Sequence, residues 1–106
     1  MPEITMETKA KQVRNDDIRA RLPHADPDDR VVMTRGLASM GIDIAMEAMV
    51  AVQTFDAFTE DNDPWMEHDF GSFELSTGDK CFWKIDDYNG YDGIRCVLTV
   101  MLASEY

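Results

Sequence analysis

The clearest hydrophobic pattern lies between residues 42 and 58, where Ile44, Ala48, Ala51, Phe55 and Phe58 recur at steps of four, three, four and three. That spacing puts them on one face of a helix. Ile42, Ala45, Met49 and Val52 fill the neighbouring rows, and Asp43, Glu47 and Thr54 lie opposite. A wide-faced amphipathic helix is predicted over 42–58, packed on a large apolar surface such as a sheet. Its methionines suit core filling, and Val50, on the polar side, hints at an apolar contact. Residues 9–22 predict a second helix, more charged, with Ala10, Val13, Ile18 and Leu22 as a weak stripe and residues 1–8 as a frayed lead-in. Two prolines and three aspartates within 23–29 end it.

Shorter patterns fill the rest of the chain. Arg30–Arg35 predicts a strand closed by Gly36. Asp69–Leu75, the turn Ser76-Thr77-Gly78-Asp79 and Lys80–Asp86 predict an antiparallel hairpin. A second turn, Asn89–Gly93, leads to Arg95–Ala103, a β-branched and nearly continuous apolar run. It predicts a central strand buried on both faces, with a terminal helix over 95–105 as the alternative. The order α-β-α-β-β-β points to an α+β fold, an antiparallel sheet of about four strands with two helices packed on one face. A length of 106 residues fits one domain, and 44% hydrophobic residues suffice for a core without metal or disulfide.

Charge changes this picture more than composition does. Residues 1–35 hold seven acids and seven bases, whereas residues 36–106 hold fourteen acids against Lys80, Lys84 and Arg95, so the whole net charge of −11 arises after Gly36. Such a surface repels nucleic acid phosphate and anionic membranes and attracts basic proteins or cations. No apolar run nears the ~20 residues that cross a bilayer, and the N-terminus lacks a basic segment followed by an apolar stretch. Cys81 and Cys96 sit in apolar runs, which predicts reduced, buried thiols and a cytoplasmic setting.

Several candidate chemistries are weak. Glu67-His68-Asp69 offers a proton shuttle beside two carboxylates. Alternation along a strand, however, separates His68 from both acids, and a polar strand entrance whose histidine bonds a carboxylate is the plainer reading. Asp61-Asn62-Asp63 and the acids of 86–93 lack the spacing of a calcium loop. Phosphate loops, nucleophile elbows and Cys-His pairings are absent, so no cofactor is expected. Trp65, Trp83, Tyr88 and Tyr91, by contrast, lie within residues 56–93 among eleven acids and two bases. Aromatic anchors inside a charged rim are the residue types of protein interfaces.

Longer motifs carry a resemblance. Asp56-x-Phe58-Thr59-x-Asp61-Asn62-Asp63-Pro64, Glu67-His68-Asp69-Phe70-Gly71-x-Phe73-Glu74, Phe82-Trp83-Lys84-Ile85-Asp86-x-Tyr88 and Val97-Leu98-Thr99-x-Met101-Leu102-Ala103-x-Glu105-Tyr106, with Val31-Val32-Met33-Thr34-x-Gly36, cover about two thirds of the chain. They resemble a bacterial domain-of-unknown-function family of small proteins, often encoded on plasmids and other mobile elements. Members of that family carry a longer acidic insertion before the last strand, which here shrinks to Asn89–Ile94.

The expectation is therefore a non-enzymatic acidic module that binds a basic protein. Its sharpest form is an anti-CRISPR-like or DNA-mimicking inhibitor of a nucleic-acid-binding defence complex, with no direct contact to nucleic acid or membrane. The expected contact residues are Asp61, Asp63, Trp65, Glu67, Asp69, Asp86, Asp87, Tyr88, Tyr91 and Asp92. The alternative is a small metal-dependent hydrolase or nuclease using Glu67, Asp69 and Asp86.

Overall fold

A computed structural model describes residues 4–88 and 93–106. Helix α1 (Met6–Ala20) begins three residues earlier than its pattern predicts, because Thr5 caps it by accepting a hydrogen bond from the Thr8 N–H at 3.0 Å. Strand β1 (Asp29–Met33), a one-turn helix α2 (Arg35–Ala38), helix α3 (Ile42–Gln53) and strands β2 (Phe70–Glu74), β3 (Lys80–Asp87) and β4 (Cys96–Leu102) follow. A 3-10 turn over Ala103–Glu105 closes the chain. The C-terminal run is thus a strand and not a helix. The turn expected at Asn89–Gly93 lies almost wholly outside the described residues.

The four strands form one sheet in the order β1-β4-β3-β2. β2–β3 and β3–β4 are antiparallel, but β1 runs parallel to β4, with Asp29 opposite Cys96 and Met33 opposite Val100. The sheet is mixed, which corrects the purely antiparallel expectation. Parallel neighbours need a long crossover, and everything between β1 and β4 supplies it.

Alternation along β3 buries Cys81, Trp83 and Ile85 and leaves Phe82, Lys84 and Asp86 on the other side. β4 lies between β1 and β3 and buries Cys96, Leu98, Val100 and Met101, while Val97 and Thr99 stay half-exposed; it is central, but not sealed on both faces. Ile18, Leu37, Ala48 and Val52 from the helices and Leu22 from the turn after α1 share one core with Cys81, Trp83, Ile85, Leu98 and Val100. Both cysteines are free and buried.

Helix α3 stops five residues short of its apolar period. Phe55 and Phe58 still point inward, meeting Trp83 edge-on at 5.5 and 6.2 Å, but from a loop. Ile42, on a row expected to be buried, is 73% exposed, and with Met46 and Val50 it forms an open apolar row along the helix.

Candidate functional site

The loop between α3 and β2 is built by its own short polar side chains. Asn62 donates to the Ala57 carbonyl at 2.8 Å and accepts from the Thr59 N–H at 2.9 Å, an Asx-type closure. Asp63 Oδ1 accepts from the N–H groups of Glu67 and His68 at 3.1 and 3.2 Å. Met66 and His68 have φ of 56° and 55°, a region costly for residues with a side chain. Two carboxamides of α1 hold this stretch: Gln12 donates to the Met66 carbonyl at 2.5 Å and Asn15 to that of Glu67 at 2.8 Å.

His68 is therefore not on a strand, since β2 begins only at Phe70. Its left-handed backbone cancels the alternation argument that separated it from the carboxylates. The imidazole stacks on Phe58 with centroids 3.8 Å apart. Nδ1 lies 2.9 Å from Asp16 Oδ1, and Nε2 lies 3.6 Å from Asp63 Oδ2. Asp16 also binds the buried Arg19 at 2.9 Å. The Arg19 guanidinium donates to the carbonyls of Val52 and Phe55 at 3.0 and 2.7 Å and lies over the Phe58 and Trp83 rings.

The expected contact residues divide by environment. Asp61 is exposed and Trp65 is 78% exposed, whereas Asp63 is buried. Glu67 pairs with Lys11 at 3.1 Å and Asp87 with Arg14 at 2.8 Å, so α1 neutralises both. The Lys11 partnership raises that ammonium's pKa, chiefly through the hydrogen bond to Glu67. Asp69 is half-buried, and burial, followed by the charges of Glu67 and Asp63, pushes its carboxyl up. Asp86 is exposed, pairs with Lys84 at 3.2 Å and lies on the sheet side opposite Trp83 and Ile85. Tyr88 is half-exposed, and Tyr91 and Asp92 lie outside the described residues. Among the described residues no group of three or more His, Cys, Asp or Glu side chains converges as a metal site.

Sequence reasoning missed two kinds of residue. Asp56 and Glu60, in the same loop, are exposed. Gln12, Asn15 and Asp16 of α1 reach this loop from 52 to 54 residues away. The sequence signal for them is the recurrence of the polar residues Gln12, Asn15 and Arg19 on the side of α1 that also holds Ile18. Phe58, Glu60, Asp63, Pro64, Met66 and His68 line a concavity of about 620 Å³ beside Trp65.

A family model described as "Protein of unknown function (DUF3768)" matches residues 33–105. The chain belongs to this DUF3768 family. No curated protein and no solved structure matches it. The DUF3768 match leaves out α1, the helix that supplies Gln12, Asn15, Asp16 and Arg19 to the loop.

Within the DUF3768 segment, the motif residues have assignable structural duties. Asn62 and Asp63 shape the loop, as described above. Gly71 leaves room that a Cβ would take from the Trp83 indole and from Phe55. The Glu105 carboxylate accepts from the Gly36 N–H at 2.8 Å and from the Thr34 hydroxyl at 2.5 Å. Tyr106, one residue beyond the matched segment, meets Phe70 and Phe82 edge-on at 6.2 and 5.6 Å.

Proposed function

We propose that the chain is a non-enzymatic binding module whose acidic surface docks a basic, nucleic-acid-handling protein. The observation that carries this reading is the loop after α3. Asp56, Glu60 and Asp61 are exposed there without a basic partner among the described residues, next to an aromatic side chain that is 78% exposed. Unpaired carboxylates keep their long-range field and steer a cationic partner, and a protruding Trp supplies the anchor.

The narrower form is a mobile-element inhibitor of the anti-CRISPR or DNA-mimic type, in which carboxylates on a rigid frame occupy a phosphate-binding channel. Its support is the placing of the whole net charge after Gly36. We take both long helices to lie on the Trp83 side of the sheet, and the setting to be the reducing cytoplasm, which suits the free thiols.

The test is affinity capture from a bacterial lysate at roughly 50 and 500 mM salt, with and without competing duplex DNA. It compares the wild type with the combined variant Asp56→Asn, Glu60→Gln, Asp61→Asn, Trp65→Ala. Basic nucleic-acid-binding proteins should be recovered at low salt, be displaced by duplex DNA and be lost with the variant. Recovery of none at low salt, or equal recovery by the variant, overturns the proposal.

A further inference from the structure

The concavity beneath the 59–68 loop is lined by a carboxylate, one oxygen of which receives no donor from the described residues. Asp63 is only 5% exposed, and its Oδ1 takes both backbone N–H bonds. Among the described residues Oδ2 has no donor within hydrogen-bond distance, and His68 Nε2 stands 3.6 Å away. Asp16 accepts from His68 Nδ1 at 2.9 Å. In the neutral ring that bond keeps the proton on Nδ1 and leaves Nε2 an acceptor. In that form two acceptors face one another beside a cavity of about 620 Å³ that Glu60, Phe58, Pro64 and Met66 also line.

This arrangement calls for a group that brings several N–H donors, a positive charge and an apolar neck. An ammonium on a methylene stem has all three. It can donate to Oδ2 and Nε2 together while its methylenes lie on Pro64 and Met66. A zinc ion would find two protein donors at this point, fewer than the three or four its sites use. We propose that the cavity is a socket for a lysine side chain of the partner, held by Asp63 Oδ2 and His68 Nε2. The assignment rests on the docking reading above and deepens it to one recognised side chain.

The Glu67 and His68 amides share the Asp63 carboxylate, so their signals in a ¹⁵N-correlated NMR spectrum report on occupancy. The probe is Nα-acetyl-lysine methylamide, with the norleucine analogue as the uncharged control. Saturable shifts of those amides are expected with a Kd on the order of millimolar and none with the norleucine analogue. Asp63→Asn, which keeps the Oδ1 acceptor, should weaken binding at least about tenfold. Should that variant not fold, Glu60→Lys, on an exposed loop position, tests the same point by placing a resident ammonium at the rim, with a similar loss expected.

Equal shifts with the norleucine analogue, or unchanged binding by a folded Asp63→Asn, overturn the socket. Tight Zn²⁺ binding that displaces the probe does so in favour of a metal centre. Butylammonium binding more than about tenfold tighter than the lysine amide does so in favour of a free amine. A chain that takes no lysine amide yet captures DNA-displaced proteins loses the socket alone. One that takes the amide but captures nothing loses the docking reading alone.

Discussion

Glu105 and Asp69 are carboxyl groups that folding moves in opposite directions. The Thr34 hydroxyl bond first, helped by backbone N–H groups of Gly36 and Leu102, holds Glu105 below its ordinary value near 4.5, against a smaller effect of burial. A carboxyl whose pKa falls on folding stabilises the folded state above its unfolded value, and that contribution is lost as pH falls through the folded value. Glu105→Gln should therefore lower Tm at neutral pH and flatten the acid limb between about pH 5 and pH 3, as followed by circular dichroism melts. Burial raises the Asp69 carboxyl above 3.8, with Glu67 and Asp63 adding to it. The sign reverses, since the stability linked to a raised pKa is fully present below the unfolded value and is lost as pH rises through the folded one. Asp69→Asn should raise Tm at neutral pH and change it little near pH 3. A lower Tm at neutral pH would show that the carboxylate is needed ionised.

Among the elements, α1 is fastened to the rest by polar side chains more than by its thin apolar stripe. Arg19 is the main fastener, because from a buried position it satisfies the carbonyls of Val52, near the end of α3, and of Phe55, just after it. Arg19→Met should cost about 2–4 kcal/mol in urea unfolding, because both carbonyls and Asp16 lose a charged donor. Lys11→Met, which removes a partly exposed pair with Glu67, should cost only about 0–1 kcal/mol. Near-equal values for the two variants would refute this ranking.

Periodicity located α3, the hairpin and β4 because each is a local pattern. It failed at three points where long-range contacts decide. Arg19 draws the chain out of helix after Gln53, although Phe55 and Phe58 keep the helical burial phase. Glu105 holds the start of α2 from 69 residues away, in a stretch whose β-branched lead-in reads only as strand and stop. β1 pairs parallel with a strand 67 residues distant, and nothing in a five-residue run announces a partner or a direction.

For the whole molecule, the negative field is set by which acids stay unpaired. Glu67 and Asp87 are neutralised by α1, Asp63 faces inward, and in the loop between α3 and β2 the exposed acids without a basic partner among the described residues are Asp56, Glu60 and Asp61 beside Trp65. Trp65→Ala should leave unfolding free energy within about 0.5 kcal/mol of wild type yet weaken the captured partner about tenfold or more, as read by calorimetry on the purified pair. A large loss of stability would mean that the indole supports the loop and does not anchor a partner.

The local order of apolar and polar residues determined by itself that this chain is α+β, that two helices precede a three-strand meander, and that its excess charge lies after Gly36. These are properties of neighbours in sequence, where period and propensity act. The tertiary structure decided the parallel pairing of β1, the end of α3, the release of His68 from any strand and which carboxylates remain unpaired. Each depends on a side chain or strand more than thirty residues away, and contacts at that separation leave no periodic trace in the chain.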